Sequence, residues 1–185
     1  MQHSRVFKGI RDNFMKASEQ KSDYDSKKNK PVFLFFGQGQ DTSFTASDSA
    51  SDEPLIPRPD SASIAQVMID ARGMKKPMIE IEFSSVVNFL AIDNNAKASL
   101  NFILLRSCNN EKPRAINSWS YEAFEIEDSN SDVRLSTSFV FNYCECLNRF
   151  ACCEYFVEVF PGGLAEANIM INNIHIAALA SESGC

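Results

Sequence analysis

The residues of this chain best suited to chemistry are its six cysteines, Cys108, Cys144, Cys146, Cys152, Cys153 and Cys185. In an extended segment successive side chains point to opposite faces. Cys144-x-Cys146 therefore sets two thiols on one face, and Cys152-Cys153 sets neighbouring thiols on opposite faces. Such an arrangement can make one bond inward and another outward, so disulfide pairing is the leading expectation, with the connectivity left open. A zinc site is the competing chemistry for Cys-x-Cys plus Cys-Cys, but the usual Cys-x2-Cys knuckle spacing is missing and no histidine is close. Buried free thiols are a third reading, because cysteine packs well as a small hydrophobe. Redox catalysis lacks a Cys-x-x-Cys at a helix start. Cys185 follows Ser181, Glu182, Ser183 and Gly184, a polar tail that suits bonding between molecules better than a packed core.

Other candidate chemistry is thin. The only imidazoles are His3, in a tail, and His175, which alternates with Ile174 and Ile176 in a strand pattern. Neither has the orienting partner that a triad requires. The carboxylate pairs Glu80 and Glu82, and Glu125 and Glu127, share a strand face. They read as the solvated side of a sheet, since acid-base pairs need environments that push their pKa values apart. Gly37-x-Gly39 reads as the end of a strand, because no helix pattern follows to make it a phosphate loop. We therefore expect no enzyme and no cofactor.

The elements that must position the cysteines are short strands. Phenylalanine alone occurs 15 times and hydrophobic residues make up 44% of the 185, enough for one sizeable core. Strand patterns recur at Val32–Phe36, Ile64–Asp70, Met78–Phe83, Val86–Ala91, Ala98–Arg106, Ser118–Ile126, Arg134–Tyr143 and Glu154–Phe160, and as two runs within Ala167–Leu179. Turn residues separate them, with Asn172-Asn173 reading as the clearest two-residue hairpin. The expected fold is all-β: an antiparallel β-sandwich of jelly-roll or Greek-key type with nine or ten strands over 31–185. The first apolar run, Val32-Phe33-Leu34-Phe35-Phe36, reads as a buried strand. Residues 41–63 are mostly Ser, Asp, Thr and Pro and read as a mobile, acidic surface loop.

Ahead of the sandwich, residues 1–30 form a basic arm and linker. Val6, Phe7, Ile10 and Phe14 recur at helical spacing, so the first 20 residues read as a short amphipathic helix that either frays in water or orders on a partner. This segment carries eight basic and four acidic side chains, a net +4; residues 31–185 carry ten basic and twenty acidic, a net −10. An acidic body repels phosphate backbones, so nucleic acid is not an expected partner. A basic arm and an acidic body can attract each other, within one chain or between neighbours. No stretch reaches the roughly 20 apolar residues of a membrane span, and no apolar h-region follows the N-terminal charges, so neither a transmembrane segment nor Sec-type export is expected. Six thiols nonetheless suit an oxidised protein. A product made inside a cell and oxidised after that cell lyses would satisfy both observations.

One resemblance carries further. Lys30-Pro31-Val32 with Gly37-Gln38-Gly39, then Met78-Ile79-Glu80-Ile81-Glu82-Phe83-Ser84-Ser85, Trp119-Ser120-Tyr121, Phe139 to Cys146, Cys152-Cys153-Glu154-Tyr155 and Ile171-Asn172-Asn173-Ile174 together cover 31–185. On these residues the chain resembles a family of small cysteine-bearing proteins of clostridial-type, anaerobic spore-forming bacteria, known as a domain of unknown function. Where that family often has Cys before the first Gly, this chain has Phe36. Its acidic loop is longer, and the arm is an addition. The resemblance implies a sporulation setting, and the architecture is analogous to disulfide-linked jelly-roll subunits of endospore appendages. The expected function is a self-assembling structural subunit of a spore surface layer or appendage. Its partners would be other copies or other spore surface proteins, and its location the spore surface or the outside after mother-cell lysis. The alternative is a carbohydrate or small-ligand binding sandwich with Trp119 and Tyr121 as stacking residues.

Overall fold

The computed structural model describes residues 32–46, 61–93, 95–125, 133–147 and 152–182. The expected arm residues Val6, Phe7, Ile10 and Phe14 lie outside them, as does Cys185. The described chain contains ten strands and no α-helix: β1 (Val32–Phe36), β2 (Gln38–Gly39), β3 (Thr42–Phe44), β4 (Ala62–Asp70), β5 (Pro77–Ala91), β6 (Lys97–Cys108), β7 (Arg114–Phe124), β8 (Arg134–Cys146), β9 (Cys152–Ala165) and β10 (Ala167–Glu182). Two antiparallel sheets result. One runs β1-β10-β5-β8, with β3 also on β10, and the other runs β2-β4-β9-β6-β7.

Only β6 and β7 are neighbours both in sequence and in a sheet; from β4 to β10 every other connection crosses between sheets. The order β3-β10-β5-β8 facing β4-β9-β6-β7 is that of a jelly roll, which makes the expected all-β sandwich specific. The cause is visible in the side-chain alternation. Along β5, Ile79, Ile81, Phe83, Val87 and Phe89 are buried, and along β6, Ala98, Leu100, Phe102 and Leu104 are buried. Each strand thus has one apolar face that can be removed from water only against the other sheet. Rings fill the middle: Phe83 stacks on Phe141 (centroids 4.8 Å apart), Phe102 on Phe139 (4.1 Å) and Trp119 on Phe141 (3.7 Å). Burying a Phe of this kind contributes about 1.5–3 kcal/mol.

Several expectations are corrected. Met78–Phe83 and Val86–Ala91 are one strand, β5, and the two runs after Ala167 are likewise one strand, β10. Asn172-Asn173 is a bulge in β10, not a hairpin: the register against β5 slips between Asn172 and His175, and Asn173 has φ 50°. Inward residues are Ala167, Ile169 and Ile171 before the bulge and Ile174, Ile176, Ala178 and Ala180 after it. The extra residue flips the phase of the alternation, and without it the second half of β10 would turn its apolar side to water. Pro161-Gly162-Gly163 is also an irregularity within a strand, where the pairing of β9 slips against Ser99 and Leu100.

The mobile-loop reading of 41–63 is corrected at both ends. Thr42–Phe44 pair with β10 and bury Phe44, and Ala62-Ser63 begin β4; residues 47–60 lie outside the described residues. Nor is β1 a buried strand. It lies at the margin of its sheet on β10, then the chain crosses at Gly37 to pair briefly with β4 as β2 and returns as β3. Gly37 makes that crossing possible, because a Cβ there would collide with the carbonyl oxygen of Gln66 and the side chain of Ile176.

Candidate functional site

The cysteines gather where β6 ends, β8 ends and β9 begins. Cys108 and Cys153 face each other on paired strands, with Cα atoms 4.0 Å apart, and form a disulfide. Two contacts fix this geometry. The turn after β6 has Asn109 and Asn110 at φ 53° and 63°, closed by Glu111 N–H donating to the Cys108 carbonyl at 3.0 Å. Asn residues tolerate that left-handed backbone. Asn109 N–H in turn donates to the Cys152 carbonyl at 2.9 Å, which ties the turn to the start of β9.

The alternation read from the spacing holds here. Cys153 is 1% exposed and points inward, while Cys152 is half-buried and, as a neighbour in the same strand, points outward. On β8 the inward residues are Phe139, Phe141, Tyr143 and Glu145, so Cys144 and Cys146 share the outer face. Cys144 is an exposed free thiol, Cys152 is a free thiol, and Cys146 is disulfide-bonded. With Cys146 and Cys153 committed to disulfides, the Cys-x-Cys plus Cys-Cys set no longer offers four thiolates to a zinc ion.

One group of residues escaped the sequence reading. Arg106 of β6, Glu145 of β8 and Tyr155 of β9 meet inside the sandwich, one step deeper than the Cys108–Cys153 bond. Arg106 Nη1 donates to Glu145 Oε2 in an ion pair that bridges the two sheets, and Tyr155 Oη donates to Glu145 Oε1 at 2.8 Å. Both charged side chains are largely buried. Burial, and then the Glu145 carboxylate, push the Tyr155 phenol well above its usual range, so it stays protonated and remains a donor. The Tyr143 phenol is raised for the same two reasons. Burial works against the Arg106 charge, but the hydrogen bond and attraction of Glu145 outweigh it and raise its pKa. The signal was present in the sequence. Arg106 continues the inward series Ala98, Leu100, Phe102 and Leu104, and Glu145 continues Phe139, Phe141 and Tyr143.

A second ion pair lies on the surface beside the free thiol. Asp70, opposite Cys152 in the β4–β9 register, accepts from Arg72 Nε at 2.8 Å and Nη2 at 2.5 Å, which holds its carboxyl at about 2.

The remaining candidates are dispersed. His175 stands exposed on the outer face of β10, and Glu80 and Glu82 line the outer face of β5. Glu125 follows β7, while His3 and Glu127 lie outside the described residues. Trp119 and Tyr121 turn inward, Trp119 stacked on Phe141 and Tyr121 edge-on to Phe139, so the ligand-stacking alternative loses its platform. Among the described residues no three His, Cys, Asp or Glu side chains converge to hold a metal, and no helix is long and apolar enough to cross a membrane.

Comparison with known proteins adds a family and little else. No curated protein matches. Among solved structures, Eiger TNF from S. frugiperda aligns over 84% of this chain and 95% of its own, at 9% identity and a TM-score of 0.39. The Gt strain of infectious bursal disease virus aligns over 84% of this chain and 38% of its own, at 12% identity and a TM-score of 0.33. Likeness at that level carries no argument about function. The resemblance expected from residue 31 onward is matched from residue 45, so β1, β2 and β3 all lie ahead of it. Residues 45–181 match the family described as a domain of unknown function (DUF4489), and the chain belongs to that family.

Proposed function

We propose that this chain is a structural, self-associating subunit rather than an enzyme, fastened to its neighbours through outward cysteines on a sandwich locked from within. The observation that carries the reading is the division of the thiols. The Cys108–Cys153 disulfide ties β6 to β9, whereas Cys144 stands free and exposed on the outer face of a sheet-margin strand, two residues from the disulfide-bonded Cys146. An exposed thiol has no packing role, and it is open to a second subunit. Joining two such thiols releases two electrons and two protons, which dissolved oxygen or a small disulfide accepts.

The setting follows from the resemblance to spore-former proteins: a spore surface layer or appendage, oxidised after the mother cell lyses. A rigid jelly roll with inter-subunit bonds suits such a coat because each cross-link removes conformational freedom from the unfolded chain. The purified full chain, exposed to air and run on a non-reducing gel, is expected to form a ladder of multimers that collapses with reductant and shortens in Cys144→Ser. A single monomer band without reductant would overturn the reading.

A further inference from the structure

The margin of the first sheet opposite the cysteines poses a different problem. β1 pairs on one side with β10, in the register Val32 to Ser181, Leu34 to Leu179 and Phe36 to Ala177. Among the described residues nothing pairs with its other side. Its side chains are apolar on both faces and largely in water: Val32 is 58% exposed, Phe33 48%, Leu34 58% and Phe36 79%, with only Phe35 packed against the core. Directly paired residues share a face. Val32, Leu34 and Phe36 therefore extend the outer face of the sheet beside Ala177 and Leu179, while Phe33 and Phe35 lie on the inner side above Ala178 and Ala180.

Natural sheets protect such a margin with charge, proline, a bulge or a covering segment. Val32–Phe36 carries no charge, and Gly37 seats its end firmly on β4 and β10, with Gly37 N–H donating to the Ile176 carbonyl at 2.9 Å. The strand is held in place with its backbone groups offered outward.

We infer that β1 pairs with β1 of a second copy, antiparallel and about a two-fold axis through Leu34. This rests on the self-association proposed above and names a surface for it that is independent of the thiols. The segment is self-complementary. In that register Leu34 meets Leu34, Phe33 meets Phe35 and Val32 meets Phe36, so apolar side chains oppose apolar ones on both faces and no like charges are brought together. The two sheets become one continuous sheet running β8-β5-β10-β1 and then β1-β10-β5-β8 of the partner, still within the usual range of strand number. A five-residue strand pair buries less than the roughly 1,000 Å² of a stable interface, so the dimer depends on concentration.

Sedimentation of the full chain in reductant, which removes the thiols from the outcome, tests the inference. The wild type is expected to show a monomer–dimer equilibrium, and Leu34→Lys to weaken it by roughly tenfold or more, about 1.4 kcal/mol. Hydrogen exchange on the wild type gives a readout free of any folding defect: amides of residues 32–36 gain protection as concentration rises. Leu34→Lys dimerising as tightly as wild type would overturn β1 as the contact while leaving thiol-linked assembly in place. Protection of β1 by an added peptide of residues 1–31, at a protein concentration where the chain is monomeric, would make that segment the occupant instead. A wild type that stays monomeric at every concentration, with and without oxidant, would sink the inference and the proposed function together.

Discussion

The two margins of the first sheet, β8 and β1, are opposites. β8 places Phe139, Phe141, Tyr143 and Glu145 against the other sheet, so its inner face is fixed by stacked rings and a buried ion pair, and its outer face carries Cys144 and Cys146. β1 has one partner strand, five residues and a single half-buried ring. The contrast teaches that sheet position alone does not decide what a strand contributes. β8 is held by interactions across the sandwich, and β1 by its backbone ladder to β10 and the seat at Gly37. A change at β8 should therefore reach the stability of the whole fold, while a change at β1 should reach association and little else.

The largest effect expected on this comparison comes from Glu145→Ala, which leaves the Arg106 charge buried without its partner and Tyr155 without its acceptor. Denaturant unfolding should show a loss of about 3–5 kcal/mol, and a loss below about 1 kcal/mol would mean that β8 is not held by the ion pair. Next is the removal of the Cys108–Cys153 bond in a double serine variant. The bond spans 45 residues, and its loss is expected to cost about 2–4 kcal/mol under non-reducing conditions. Reductant should abolish the difference between the wild type and the variant.

Tyr155→Phe sharpens the picture through pH. The folded-state phenol titrates above its unfolded value of 10.0, so its contribution is present in full below that value and declines as pH climbs through it toward the higher folded value. The wild type should lose stability more steeply than Tyr155→Phe above about pH 10, while at neutral pH the variant should be weaker by about 1 kcal/mol for the lost hydrogen bond. Parallel pH profiles for the two proteins would show that the phenol does not titrate with unfolding. The smallest effect belongs to the other margin. Leu34→Ser should change unfolding free energy by no more than about 0.5 kcal/mol, since the side chain already stands in water. A larger loss would erase the distinction between the margins.

Much of the fold was legible because a period of two in the apolar residues leaves only a sheet with one dry face. The strands at 64–70, 98–106, 134–143 and 154–160 follow that pattern, as do the opposite faces of Cys152 and Cys153. Asn172-Asn173 misled because a flip in the phase of alternation looks the same whether the chain reverses or merely bulges. Only the partner strand decides, and β5 runs past the bulge without a break. The run Val32–Phe36 misled for a related reason: apolar residues on both faces describe a strand buried twice and a strand waiting for cover equally well. Arg106 and Glu145 each occupied an inward phase, but a charge there becomes intelligible only once its counterpart, 39 residues away, is seen across the sandwich.

By itself the sequence determined the class of structure, the sidedness of the cysteines and the contrast between a basic beginning and an acidic body, since each depends on local spacing or simple counting. Tertiary structure decided which thiols bond, which buried charges meet and which strands stand at the margins. Those depend on contacts between residues far apart in the chain, and local chemistry leaves such contacts undetermined until two sheets close on a common core.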